Sequence, residues 1–243
     1  KADLMGFTLP RRYGGLNMPK TVYSAAIEIV SRADASLMTL FGLQEIADTI
    51  NKFGSEDQKE RFLPRFSSGE VMGAMALTEP DAGSDASGIR TTAVRDGEGF
   101  RINGSKTFIT NGTICDFATV AAYTDPTKRG SGINLFVVER NDPGFSVTKK
   151  LKKLGNHSSD TAELAFEDCT VPKERMLGDR LGGGLGQLEE TLKSGRITYG
   201  ARSTGVGQAA FEATLSFVKG TRRQGQALGK SQAIRFVLAE MAM

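Results

Sequence analysis

Residues 71–172 carry three turn dipeptides among short apolar runs, and this stretch limits the possible folds more than any other. The dipeptides are Asp96-Gly97, Asn103-Gly104 and Asn111-Gly112. Asn, Asp and Gly tolerate the positive φ of type I′ turns, so each dipeptide predicts a strand on either side. The flanking strands fall at 90–94, 99–102 and 106–110. Further apolar runs stand at 117–123, 133–139, 145–148 and 162–166, with another at 71–77 running into a Pro/Gly turn. Many short strands joined in this way predict an antiparallel sandwich or barrel.

On both sides the period becomes helical. Residues 20 to about 70 hold the apolar run Ala25-Ala26-Ile27-Glu28-Ile29-Val30 and the capping box Ser55-Glu56-Asp57-Gln58. Pro64 is expected to limit that helix, because proline lacks an amide and clashes with the preceding turn. After 185, Leu185, Leu188 and Leu192 share a face, as do Val206, Ala210 and Phe217, and then Ile234, Val237 and Met241. Gly220 and Gly225 bracket a break between two of these helices. Helices, then strands, then helices make a segregated α+β class. The divisions are a helical N-terminal domain at 1–72, a β middle domain at 73–180 and the first helices of a bundle at 181–243. The opening residues read like mid-protein sequence and Met243 falls inside a helical pattern, so the chain reads as a piece of a longer one.

Composition removes several function classes. A formal net charge of +3 is too small to argue for nucleic acid or an anionic membrane surface. One histidine, His157, excludes sites built on several imidazoles, and Cys115 and Cys169 supply neither a disulfide framework nor a cysteine-rich zinc site. A reducing compartment is therefore expected, no metal is expected, and no G-x-S-x-G elbow is present. No apolar run is long enough to span a membrane.

Gly205-Val206-Gly207-Gln208-Ala209-Ala210 fits the loose dinucleotide pattern, but that pattern needs a preceding strand and here a helical run precedes it. These glycines are read as helix-packing residues. Ala76 to Asp85 is more informative. An apolar strand enters a turn shaped by Pro80 and Gly83, which frees amides beside the hydroxyls of Thr78 and Ser84. In Lys106-Thr107-Phe108-Ile109-Thr110-Asn111-Gly112, Phe108 and Thr110 fall on one face of a strand. A ring and a donor on one face could seat a planar heterocycle. Taken singly, a capped turn and a half-buried hairpin account for the two segments as well.

Together, in this order and spacing, they resemble the acyl-CoA dehydrogenase family. The span Ala76 to Asp85 fits every position of its flavin signature, and Phe108 to Gly112 fits its aromatic–Ile–Thr–Asn–Gly strand. Met5 to Pro10, Tyr13 to Leu16, Ser159 to Leu164, Phe166 to Cys169, Val171-Pro172 and Leu177-Gly178 are similar to its other landmarks.

The resemblance implies FAD as cofactor and dehydrogenation of an acyl-CoA thioester between Cα and Cβ. It also implies an electron-transfer flavoprotein as partner and a homo-oligomer, tetramer or dimer. By the same resemblance, Thr78, with the Leu77 backbone, meets the flavin pyrimidine edge. Thr110 donates to flavin N5, with Ile109 beside it and Phe108 against the rings. Ser84 and the Gly83 amide lie by the phosphates, Ser84 also borders the substrate, and Ser131 contacts coenzyme A, assisted by Lys128 or Arg129. Leu37, Leu40 and Phe41 close the acyl pocket. The α-proton base belongs beyond Met243, since the alternative position holds Gly195, with Glu189 and Glu190 poor substitutes.

The chain departs from the pattern at Met75, His157, Lys193 and Thr221 to Gly225. An oxidase or decarboxylating relative on the same scaffold, and a non-catalytic flavin- or partner-binding module, are the alternatives.

Overall fold

The computed structural model describes residues 4–243, and at 40 and 42 the backbone alone. Four helices come first: α1 Lys20–Ala33, α2 Ala35–Gly42, α3 Glu45–Phe53 and α4 Glu56–Ser67. The Asp34 carboxylate starts α2 by accepting from the Ser36 and Leu37 amides. The capping box of α4 forms in both directions, Gln58 N to Ser55 Oγ at 3.2 Å and Ser55 N to Gln58 Oε1 at 2.9 Å. Gln58 then donates to the Glu174 and Met176 carbonyls, fastening α4 to the domain that follows. Pro64 does not end the helix as expected but lies inside it. The carbonyl it leaves unbonded belongs to Glu60, which is exposed and can take water instead.

The middle of the chain folds into one seven-stranded sheet: β1 Gly73–Ala76, β2 Thr92–Asp96, β3 Gly99–Thr110, β4 Phe117–Tyr123, β5 Ile133–Glu139, β6 Phe145–Lys150 and β7 Thr161–Pro172. Strand order is β1-β4-β2-β3-β7-β6, with β5 on the other flank of β4. Most pairings are antiparallel, as expected, but β1 runs parallel to β4, and β2 touches β4 in the same sense.

The Asp96-Gly97 turn makes the β2–β3 hairpin, whereas Asn103-Gly104 makes no turn. The backbone passes straight through at a bulge opposite β7. Gly104 sits at φ +151, and a Cβ there would come within 2.4 Å of Thr91 Oγ1, so close strand approach is what requires the glycine. Asn111 has φ 63 in the turn after β3, but the chain then crosses to β4 rather than forming a hairpin.

Apolar side chains of the sheet form one core under β3, β4 and β7, and a second core joins the opposite face to α3 and α4. A third, aromatic cluster of Phe7, Tyr23 and Phe41 packs α1 on α2. The last part is α5 Gly184–Gly220, a two-stranded hairpin of β8 Arg222–Arg223 and β9 Gln226–Ala227, and α6 Gln232–Ala242. α5 crosses α1 at Gly205, where a Cβ would lie 2.2 Å from the Glu28 carbonyl oxygen. This is the packing role expected of that glycine. Among the described residues no helix is long and apolar enough to cross a membrane, and no three His, Cys, Asp or Glu side chains cluster to hold a metal.

Candidate active site

β1 carries Leu77 and Thr78 to the wall of a cleft of about 400 Å³, and the far end of β3 brings Phe108 and Thr110 to the same cleft. α2 contributes Met38 and Thr39, α3 contributes Glu45 and Ile46, and α5 contributes Thr191, Gly195, Arg196 and Thr198. All three parts of the chain meet here.

The end of β3 is shaped for this. Pairing with β7 slips between Lys106 and Ile109, and within the slip Phe108 takes φ 58. A bulky residue at positive φ is costly, on the order of 1–3 kcal/mol, and such strain concentrates at functional sites. The result is a phenyl ring left 68% exposed at the rim of an apolar cleft. Ile109 points the other way into the sheet core, leaving only its backbone for the cleft side. Thr110 returns to the cleft half-buried, and Thr78 is also half-buried.

A buried ion pair registers the two strands. Lys106 is 1% exposed; its Nζ donates to the Leu77 carbonyl at 3.0 Å and to Glu79 Oε1 at 2.8 Å. Glu79 also accepts from the Thr91 amide and hydroxyl and from the Arg90 amide, while Thr107 N donates to the Thr78 carbonyl at 2.9 Å. Burial alone would raise the Glu79 carboxyl, but the Lys106 ammonium and these donors outweigh it and hold it below its usual range. Burial lowers Lys106 to about 8 despite the attraction of Glu79. Motif reading passed over both residues. The signal was available, since a lysine and a glutamate on otherwise apolar strands must pair if they are buried.

Other expected positions are dispersed. Gly83 and Ser84 are exposed on the turn after Glu79 and do not line the cleft. Ser131 is exposed too, its hydroxyl donating to the Lys128 carbonyl at 2.7 Å. The two turns are neighbours, for Tyr123 Oη donates to the Ser87 carbonyl at 2.7 Å and the 126–132 turn packs on the 86–88 turn. Leu37 is 55% exposed, Phe41 belongs to the aromatic cluster at 7%, and neither lines the cleft; Leu40's side chain lies outside the described residues. From α2, it is Met38 and Thr39 that line the cleft.

Gly195 does face the cleft. Glu190 turns away to Lys52 and Lys193, so it offers no base there. Near His157, Lys153 is half-buried and donates to the Ser159 carbonyl and the Thr161 hydroxyl, so it is a structural brace.

Family models match the whole of this layout: "Acyl-CoA dehydrogenase, N-terminal domain" over residues 1–70, the "middle domain" over 74–169 and the "C-terminal domain" over 182–243. The chain belongs to the acyl-CoA dehydrogenase family. It is 39% identical over 244 residues to an acyl-CoA dehydrogenase of Bacillus subtilis, which covers 100% of this chain and 64% of that one. Butyryl-CoA dehydrogenase from Megasphaera elsdenii superposes with a TM-score of 0.94 at 38% identity, covering 99% of this chain and 64% of the other. A glutaryl-CoA dehydrogenase from Mycobacterium smegmatis in complex with FADH2 gives 0.90 at 30% identity, covering 98% and 60%. The chain thus spans under two thirds of the length of each of these relatives.

Proposed function

We propose that the parent protein binds FAD in this cleft and dehydrogenates an acyl-CoA thioester to the trans-2-enoyl-CoA, delivering electrons to an electron-transfer flavoprotein. The observation that carries this is the exposed Phe108 ring, held at positive φ between the Thr78 and Thr110 walls of one cleft. An apolar ring flanked by hydroxyl donors fits a flat heterocycle with polar edges, and the solved relative named above as an FADH2 complex supports the choice of flavin. FAD, when bound, supplies the two-electron acceptor.

The chain's own residues supply position and polarity. Thr78 and the Leu77 amide address the pyrimidine edge; the Leu77 carbonyl is already held by Lys106. Thr110 donates toward the central ring, and Phe108 covers one face. The turns of Gly83, Ser84 and Ser131 form the polar rim for phosphates of the cofactor and coenzyme A. Gly195 offers no proton acceptor, and this reading assigns the base to a segment outside this chain.

Phe217, Phe236 and Val237 are 63%, 61% and 55% exposed on α5 and α6, an apolar face suited to burial by the rest of the parent and by a second copy in a homo-oligomer. The full-length protein, purified, should be yellow, and its visible flavin absorbance should bleach anaerobically on adding an acyl-CoA. A colourless protein that binds no FAD would overturn the reading. A yellow one unresponsive to acyl-CoA would leave a flavin-binding module. Fast reoxidation by oxygen would favour the oxidase.

A further inference from the structure

We propose that Glu45 is a specificity-determining residue, placing a carboxylate in the acyl pocket that selects acyl groups bearing a hydrogen-bond donor. This rests on the acyl-CoA reading above. Glu45 opens α3, where an acidic side chain could have stayed in solvent beside the helix N-terminus. Instead it is half-buried against α5 and lines the same cleft as Phe108 and Thr110. Its Oε1 accepts from Thr198 Oγ1 at 2.9 Å. Its Oε2 lies 3.0 Å from where a Cβ on Gly195 would stand. The missing side chain at 195 is therefore more than an absent base: it makes the room that a carboxylate from another helix enters.

A carboxylate has about four acceptor positions. The Thr198 hydroxyl, which also lies 2.8 Å from the Gly195 carbonyl, fills one at most, leaving acceptor capacity on Oε2 beside Gly195 in the cleft. Burial pushes the Glu45 carboxyl up, offset in part by Thr198, by Lys20 and by Ser194, and reinforced by Asp48. An unsubstituted alkyl chain drawn into this space would strip water from the carboxylate and return nothing. A hydroxyl or ammonium on the chain would satisfy it, whereas an acyl group ending in its own carboxylate would be repelled. Thr39, Thr191 and Thr198 line the same cleft, among the apolar side chains of Met38, Leu43, Ile46 and Leu192.

The test compares pentanoyl-CoA with its ω-hydroxy derivative on the full-length holoenzyme and on Glu45→Leu and Glu45→Gln variants. The wild type should have the higher kcat/KM for the hydroxylated thioester. Glu45→Leu should move the ratio of the two kcat/KM values toward pentanoyl-CoA by about 10- to 100-fold. Glu45→Gln, which keeps a hydrogen-bonding group and the packing on α5, should move it less. A purely structural role would depress both substrates alike and leave the ratio fixed. An unchanged ratio in both variants, or a wild type that prefers pentanoyl-CoA, overturns the inference while leaving the dehydrogenase reading intact. Failure of both thioesters to reduce the flavin in every protein would overturn that reading, and this inference with it.

Discussion

A buried hydroxyl that donates to a reacting partner contributes roughly 1–3 kcal/mol. Thr110→Val preserves shape and the half-buried wall while removing the donor, so flavin reduction by acyl-CoA should slow about 10- to 100-fold with little change in melting temperature. An unchanged reduction rate would remove Thr110 from the site. Lys106 makes the opposite kind of prediction. Lys106→Met leaves Glu79 buried without its cation, which should destabilise the protein by about 3–5 kcal/mol at neutral pH. Because Glu79 is held below its usual value of 4.5, its contribution is present above that pH and is lost as pH falls through the folded value. The gap between wild type and variant should therefore narrow between pH 7 and about pH 4, where the lone carboxyl protonates. Urea titrations at the two pH values measure it, and a gap independent of pH would dismiss the ion pair as the cause.

Among the elements, α5 carries two glycines of the same loose motif with different surroundings. Gly205 meets the Glu28 carbonyl of α1, while nothing stands within 4 Å of a Cβ on Gly207. Gly205→Ala should destabilise by roughly 1–3 kcal/mol through overpacking, and Gly207→Ala should stabilise by about 0.5–1 kcal/mol through helix propensity. Thermal denaturation of the two variants decides whether local environment or composition governs the helix.

The same contrast explains how much could be read beforehand. Local chemistry was legible: the Ser55–Gln58 box, the Asp96-Gly97 hairpin and the strands at 117–123 and 133–139 all stand where the residues placed them. Non-local chemistry was not. Gly104 looked like a turn because its partner, Thr91, is distant in sequence, and the parallel seating of β1 on β4 leaves no trace in either strand alone. At the site, Thr78, Phe108 and Thr110 were found through their motifs and do meet in one cleft. Glu45 was missed because an acid at a helix start is ordinary until the helix facing it is known. Leu37 and Phe41 do not line this cleft, since a helical face cannot be assigned to core or cleft by period alone.

For the whole molecule, the cleft is bounded by all three parts of the chain, yet no described residue on it other than Glu45 is a carboxylate. On the proposed reading, in which the α-proton base lies outside these residues, the 243-residue chain loaded with FAD should turn over acyl-CoA negligibly and the full-length protein should be active. Anaerobic absorbance changes on mixing each with an acyl-CoA measure this, and robust flavin bleaching by the shorter chain would place the base within it.

All seven residues of β4 are buried, and the strand is paired to β1 on one side and β5 on the other. β1 follows directly on α4, so β4 joins the sheet to the chain segment that begins with the helices. No local fraying can expose its central amides without separating those partners. In deuterium exchange the amides around Val120 should therefore be the last to label, reporting the opening free energy of the entire domain while the turns at Gly83 and Ser131 exchange within the first moments.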